Sequence, residues 1–314
     1  MFKIVRYTAE RADEWNAFVA QSKNGTFLHD RRYMDYHADR FVDCSLMIYD
    51  TKGNLFALLP ANRVDDTLYS HQGLTYGGLL LDGRATADAV CRTMSDVNEY
   101  LSQQGIRNVV CKTVPWIYAA IPADEPLYAF TQVCHATLKY RDIASVVSLD
   151  NQLALSELRR RGKRKAVRHG VRIAYSDDFQ TFWQILTENL QVKYDSHPVH
   201  TIQEITLLRN RFPDSIRLYA AYEGHEMIAG TVLYVTPHVI KTQYISASLR
   251  GKEVGALDLL FASLLSCPPP NHTYLDLGTS ALDHSTALKL PLIFQKEGFG
   301  ARAVCYDTYE WQLL

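Results

Sequence analysis

The residues with the clearest chemical potential form a run of cations in the middle of the chain. Residues 159 to 169, RRRGKRKAVRH, contain seven arginines or lysines. Arginine binds phosphate as a bidentate fork and lysine binds it as a point charge. The pattern favours a clamp for a diphosphate, a nucleotide-linked precursor or a tRNA backbone, with Arg164 and Lys165 among its contacts. The other interpretation that stays open is a solvated helix between two domains, since charge runs are often only solvated.

Other chemistries find little support in the sequence. His197 and His200 have the spacing of a metal pair, but Pro198 disfavours a helix there and no third ligand lies nearby. The six cysteines are scattered singly, without a C-x-x-C pair, so no metal is expected. The sequence contains no Walker loop, dinucleotide fingerprint or G-x-S-x-G elbow, which leaves nucleotide hydrolysis, hydride transfer and hydrolase chemistry unsupported.

Composition sets the broad class of protein. The 314 residues are 47% apolar, enough for a sizeable core, and the 33 basic and 34 acidic residues give no overall attraction to nucleic acid. The start of the chain lacks the apolar core of a signal peptide, and no later stretch is apolar for about 18 residues. We therefore expect a soluble cytoplasmic protein.

The elements that must position these residues follow one plan twice. In the second half, apolar runs at 216–222, 227–235 and 239–247 predict an antiparallel meander, followed by a helix from Gly255, a strand at 273–278, a helix and a last strand. The first half repeats this order from residue 45, and each half opens with amphipathic helices. We predict an internal duplication with domains at 1–150 and 151–314, the second beginning with the basic helix. An ordinary α+β protein with two unrelated sheets is the alternative.

Specific residues then carry a resemblance to a known family. The blocks are YISAS from Tyr244, the helix start Gly255-Ala256, YLDLG from Tyr274, FQKEGFG from Phe294, and the basic run ending in Gly170-Val171. The first four blocks, in this order, resemble the closing blocks of the Fem family, within the GNAT acyltransferase superfamily. The basic run lies upstream of them and resembles the basic helix of that family.

The resemblance implies a fold and an activity. The fold would be α/β (α+β), with two tandem GNAT-like domains, each a mixed, mainly antiparallel sheet flanked by helices. The activity would be transfer of an acyl or aminoacyl group to an amine, from acyl-CoA or aminoacyl-tRNA. The acceptor would be a small molecule or a peptide precursor of the cell wall, with tRNA as a partner.

Acyl transfer also suggests the catalytic groups. The amine must be unprotonated, the tetrahedral oxyanion needs a donor, and the leaving group needs an acid. The candidates are Asp276 at the end of a core strand, Tyr244 as proton donor or oxyanion ligand, and Lys296 for phosphate or developing charge. Each has a plain alternative as a turn Asp, a packed Tyr or a surface Lys.

Two further sets of binding residues are expected. Gly255 and Ala256 begin a helix where a CoA pyrophosphate would sit in a GNAT fold, because the helix N-terminus is electropositive and small residues admit a ligand. The plain alternative is an ordinary helix start. In the first half Tyr76, Trp116 and Tyr118 are candidates for a substrate groove, with core packing as the alternative.

Two other functions remain open beside Fem-like transfer. One is an acetyl-CoA-dependent N-acetyltransferase. The other is a non-catalytic module that binds a phosphorylated ligand.

Overall fold

The computed structural model describes residues 1–280 and 288–313. The chain divides into two compact units, Met1–Asp142 with Cys305–Leu314 (unit 1) and Ile143–Val304 (unit 2). This differs from the division expected after residue 150, because the chain leaves unit 1 within one strand and returns to it within another.

Unit 1 is built from short strands and two longer helices. Its elements are β1 (Lys3–Arg6), α1 (Ala12–Gln21), α2 (Arg31–Met34), β2 (Val42–Asp43), β3 (Leu46–Tyr49), β4 (Leu55–Leu59), β5 (Asn62–Val64), β6 (Thr67–Tyr69), β7 (Leu80–Leu81), α3 (Ala87–Gln103), β8 (Asn108–Lys112), α4 (Glu125–Gln132) and the start of β9 (Thr137–Ser148).

The strands of unit 1 form two groups. One is an antiparallel sheet in the order β1, β3, β4, β7. The other includes the last strand, β15 (Arg302–Gln312), and follows the order β9, β15, β8, β6, β5, β2. Pro60 lies between β4 and β5 and helps to separate them, because proline cannot donate a backbone hydrogen bond to a ladder.

Unit 2 has longer strands and more helices. Its remaining elements are α5 (Glu157–Arg168), β10 (Arg172–Ser176), α6 (Phe179–Tyr194), α7 (Ile202–Arg211), β11 (Ile216–Glu223), β12 (Glu226–Val235), β13 (Val239–Ala247), α8 (Leu249–Val254), α9 (Ala256–Ser266), β14 (Tyr274–Thr279) and α10 (Leu290–Glu297).

The sheet of unit 2 follows the order β10, β11, β12, β13, β14 and the end of β9. Only β13 and β14 run parallel, with Lys241 opposite Asp276, and the other neighbours are antiparallel. One face of this sheet packs on α9 through a core that includes Ile240, Leu260 and Leu275. The other face contacts α6, where Phe182 lies against Gly230.

The mixed α/β class and the repeated order of elements are confirmed. In each unit a meander, a helix, a parallel strand, a second helix and a closing strand follow each other in sequence. The sequence missed β1 and β10, the first strand of each unit, because both are short and only partly buried. The final strand of each repeat contributes to the other unit's set of strands, β9 ending beside β14 and β15 lying beside β8.

Candidate active site in unit 2

Asp276 is the most deeply buried charged group of unit 2 among those predicted. It lies on β14 with no exposed surface, although a carboxylate in an apolar sheet is costly unless its oxygens are paired. The backbone N–H of Gly278 donates to Oδ1 at 2.7 Å, and Lys241 Nζ lies 3.5 Å from Oδ2. Gly278 takes the left-handed conformation (φ 77°) that lets the chain turn back to this carboxylate.

Lys296 reaches the same strand end from α10. Its Nζ donates to the carbonyls of Gly278 and Thr279 at 2.8 Å each and to Ser280 Oγ at 2.9 Å. An ammonium has three protons, so these contacts use all of them. Burial lowers the pKa of Lys296 to about 8; the charge of Asp276 opposes this shift and that of Lys241 adds to it.

Asp276, Lys241 and Lys296, with Gly278 and Ser280, are here called the Asp276 centre. As residues the three are each no more than 6% exposed, and they bring one acidic and two basic side chains into one buried cluster. Such a centre offers a fixed positive charge in a region of low dielectric, which favours a developing oxyanion. A Cβ at Gly278 would lie 3.7 Å from Lys241 Nζ, so this glycine leaves space beside the ammonium.

Lys241 was missed by sequence reasoning. It follows Ile240 in an apolar strand and pairs with Asp276 in register. The sequence does contain a signal for this pair. Each of the two apolar runs has a single charged residue, Lys241 in VIKTQYISA and Asp276 in TYLDLG, and the two charges are opposite.

Tyr244 lies in a separate cluster on β13. Its hydroxyl contacts His200 Nδ1 and accepts a hydrogen bond from the His200 backbone N–H at 3.3 Å. The Trp183 ring packs edge-on at 5.0 Å between centroids, and its indole N–H donates to the His200 carbonyl at 3.2 Å. Tyr244 is thus held by hydrogen bonds, and its partner His200 comes from the pair that the sequence rejected as metal ligands.

The two histidines of that pair are placed differently. His197 is exposed and His200 is 5% exposed. Within residues 1–280 and 288–313, no group of three or more His, Cys, Asp or Glu side chains is arranged to hold a metal ion.

Gly255 and Ala256 begin α9 as predicted, but helix α5 covers this start. Gly255 has φ 80°, and a Cβ there would approach the carbonyl oxygen of Gly162 to 2.7 Å. Ala256 is fully buried. The helix that directly follows β13 is instead the short α8, capped by Ser248. The small residue at 255 therefore admits a neighbouring helix in this structure.

The basic segment forms α5, and six of its seven cations divide into three groups. Arg159 is turned inward and pairs with Asp258 of α9 at 2.6 Å. Arg160 and Arg164 pair with Glu157 at 2.8 Å each.

A third group of cations on α5 faces solvent. Arg161, Lys165 and Arg168 are exposed, and in the part of the chain that the structure describes they have no ion-pair partner. Their i, i+4, i+7 spacing places them on one side of the helix, and we call them the α5 stripe. Lys165 is thus exposed, as expected of a phosphate ligand. Arg164 instead forms an ion pair with Glu157, which the sequence interpretation did not consider.

The aromatic residues of unit 1 are mostly packed inside it. Tyr76 and Tyr118 are 0% and 2% exposed, their rings are 4.5 Å apart, and the Tyr306 hydroxyl donates to that of Tyr118 at 3.1 Å. Trp116 is 55% exposed. Of the three groove candidates, only Trp116 presents its side chain to solvent.

The order and pairing of the helices and strands can be compared with those of known proteins. The fold is the one seen in FemX and in a tandem GNAT protein. No protein-family model and no curated protein matches the sequence, so the likeness rests on three-dimensional structure.

Three solved structures illustrate the likeness. FemX superposes with a TM-score of 0.71 at 10% identity, covering 99% of this chain and 97% of that one. L-PGS from Bacillus licheniformis gives 0.58 at 12% identity, with coverage of 98% and 92%. A tandem GNAT protein from the clavulanic acid biosynthesis pathway gives 0.52 at 11% identity, with coverage of 100% and 99%.

Proposed function

We propose that the protein is an acyltransferase that moves an acyl or aminoacyl group onto an amine, with its chemistry in unit 2. The observation that carries the proposal is the buried Asp276 beside Lys241 and Lys296, on a fold shared with FemX. A buried cluster with excess positive charge has no packing advantage over apolar side chains, which favours a functional reason for it.

Each member of the centre has a role in this proposal. Asp276 fixes the ammonium of Lys241 and the turn at Gly278. Lys241 stabilises the oxyanion that forms when the amine attacks the acyl carbon. Lys296 anchors the strand end, because all three of its protons are donated to residues 278–280. It therefore acts here as a positioning residue instead of the phosphate ligand first expected.

The donor we favour is aminoacyl-tRNA. The α5 stripe suits a polyanion, and the backbone at Gly255, where a CoA pyrophosphate was expected, is covered by α5. The acceptor we favour is a peptide precursor of the cell wall, as the Fem resemblance implies. Within the described residues no helix is both long and apolar enough to cross a membrane. The cytoplasmic location that we propose follows from the proposed donor, because charged tRNA is a cytoplasmic molecule.

The experiment is a transfer assay with two donors. Total tRNA charged with radiolabelled amino acids, or labelled acetyl-CoA, is incubated with a UDP-linked muramyl pentapeptide, and label in the acceptor is counted. We expect label from aminoacyl-tRNA and a loss of at least about 100-fold with Asp276→Asn, because the amide no longer fixes Lys241, the oxyanion-stabilising group, and losing one such group costs about 10²–10³ in rate. Asp150→Asn, an exposed carboxylate of unit 2, is the matched control.

Other outcomes would select the alternatives. Label from acetyl-CoA alone would identify an N-acetyltransferase. Tight binding of tRNA or precursor without product, unchanged by Asp276→Asn, would identify a binding module and contradict the proposal.

A further inference from the structure

The Tyr244 hydroxyl and His200 form a two-residue hydrogen-bonded unit. The phenol oxygen accepts from the His200 backbone N–H at 3.3 Å and contacts Nδ1 of the same residue. With neutral imidazole and Nδ1 unprotonated, the phenol donates its own proton to Nδ1, and Nε2 carries the ring proton.

His200 is held in place from several sides. It is 5% exposed, and Trp183 Nε1 donates to its carbonyl at 3.2 Å. The next residue, Thr201, begins α7 with a reciprocal cap, donating its N–H to Glu204 at 2.7 Å and accepting the Glu204 N–H at 3.1 Å. A ring fixed this well keeps Nδ1 aimed at the phenol without reorganisation during a reaction.

Tyr244 also lies on the same face of β13 as Lys241. Ile240 and Ile245 pack into the core with α9, whereas Tyr244 contacts Trp183 of α6. The register between β12 and β13 shifts at Gln243, and this bulge keeps Lys241 and Tyr244 on one side despite the odd spacing. Three residues of strand separate them by about 10 Å.

We propose that Tyr244 and His200 form the proton relay of the acyl transfer, an inference that rests on the proposed function. Tyr244 is the catalytic residue and His200 the residue that positions it and holds the proton. Among the described residues His200 belongs to no group that could hold a metal ion. Its burial next to the Tyr244 phenol is therefore explained either by the proton relay or by a purely structural role.

The proton steps balance as follows. The amine lone pair attacks the acyl carbon and the carbonyl π electrons move to oxygen. The resulting ammonium passes one proton to the phenol oxygen while the phenol's own proton moves to Nδ1, giving imidazolium. When the oxyanion collapses, the bond from carbon to the leaving oxygen breaks, that oxygen takes a proton from Tyr244, and His200 returns its proton to the phenol.

The test compares His200→Asn and Tyr244→Phe with the control His197→Asn. Asparagine places an amide near the position of Nδ1 but holds no additional proton, so it preserves the packing and removes the relay. In the two-donor transfer assay we expect kcat to fall about 10²–10⁴-fold in both relay variants with KM within about threefold, and no change in the control, since proton transfer by a positioned group contributes about that much.

A spectroscopic measurement tests the tautomer and the direction of the hydrogen bond on which the relay depends. Nitrogen NMR of the wild-type protein should show His200 protonated at Nε2 and accepting at Nδ1, and Tyr244→Phe should shift the Nδ1 signal. Protonation at Nδ1 instead, or full kcat in His200→Asn while Asp276→Asn is inactive, would overturn the relay alone. Absence of transfer by the wild type from either donor would overturn the proposed function and the relay with it.

Discussion

At the scale of single residues, Lys296 shows how one buried ammonium can organise a strand end. It joins α10 to the carbonyls of Gly278 and Thr279. Among the strand pairs of β14 that the structure describes, Thr279 lies opposite Ala144 and Gly278 has no opposite residue. A methionine at this position would fill similar volume but leave these acceptors without a donor.

We predict that Lys296→Met lowers the free energy of unfolding by about 2–3 kcal/mol, because a buried acceptor left unsatisfied costs about 1–3 kcal/mol. Urea titration should show a lower midpoint with an unchanged slope. Lys165→Met, on the solvent side of α5, should stay within about 0.5 kcal/mol of wild type. Equal stability of the two variants would contradict the anchoring role.

A second residue-scale prediction concerns buried histidines of unit 1. Burial lowers the pKa of His29 to about 4 and that of His71 to about 3, against about 6.5 in an unfolded chain. The unfolded state therefore binds more protons below pH 6.5, and stability is lost as pH falls from about 6.5 through 4.

Thermal unfolding at pH 7 and pH 4.5 should show this loss as a lower Tm at the acid pH. His29→Asn, which keeps an acceptor for the Thr26 N–H, should reduce the difference, whereas the exposed His135→Asn should not. An identical pH dependence in all three proteins would exclude this origin of acid sensitivity.

Single residues were only partly predictable from the sequence. Asp276 and Lys296 were identified because they stand in recognisable blocks, and the structure joins them at one strand end. Lys241 was missed because its pairing with Asp276 depends on the register between two parallel strands. The role of His200 was missed because it depends on a loop that packs back onto β13, and neither feature can be read from local sequence. Whether these groups catalyse a reaction stays a prediction.

At the scale of elements, the packing of α5 against α9 depends on two glycines. Gly162 lies against Asp258, and Gly255 lies against the carbonyl of Gly162. An added methyl group has no space at either contact without moving a helix.

We predict that Gly255→Ala destabilises the protein by about 2–5 kcal/mol with no ligand present, the sum of a left-handed backbone cost of about 1–2 kcal/mol and a packing cost of about 1–3 kcal/mol. Gly224→Ala is the matched control, since Gly224 also has positive φ but open space around its Cα. Chemical denaturation of both variants isolates the packing contribution. If the two costs are equal, α5 does not press on Gly255.

The α5 stripe gives a second prediction for an element. Changing Arg161, Lys165 and Arg168 to glutamine should weaken binding of total tRNA and lower the slope of log affinity against log salt by about 2–3, because each lost phosphate contact removes about 0.7–0.9. The control changes Lys3, Lys52 and Arg107, three exposed cations of unit 1. Filter binding over a range of salt concentrations measures both, and equal slopes would exclude the stripe as the contact.

The positions of helices and strands were more predictable than the contacts of single residues, because hydrophobic periodicity and helix capping depend on residues that are close in sequence. Ser156 and Glu157 begin α5 where the cationic run starts, and Gly255 begins α9. The sequence did not reveal that the Arg159 side chain of α5 points inward, because its partner Asp258 is about a hundred positions away.

At the scale of the whole molecule, the last strand of the chain belongs to unit 1. β15 pairs with β8 from Thr308 to Gln312, and Trp311 stacks on Phe130 at 5.1 Å between ring centroids. The repeat was visible in the sequence, but the exchange of closing strands was not, because pattern gives the order of elements and not their partners.

We predict that Trp311→Ala costs about 3–5 kcal/mol and that hydrogen exchange then accelerates across β8, almost 200 residues away in sequence. Tyr306→Phe, which keeps the ring and removes one hydroxyl contact, should leave β8 protected. Retained protection in Trp311→Ala would contradict the assignment of β15 to unit 1.

This connectivity also orders events during synthesis. Ribosomes add about 5–20 residues per second, so the roughly 195 residues between β8 and its partner in β15 separate the synthesis of the two strands by about 10–40 s. During that time one edge of β8 lacks its strand, and an unpaired edge is a template for pairing with other chains. The first unit is therefore open to pairing with other chains for as long as β15 has not been synthesised.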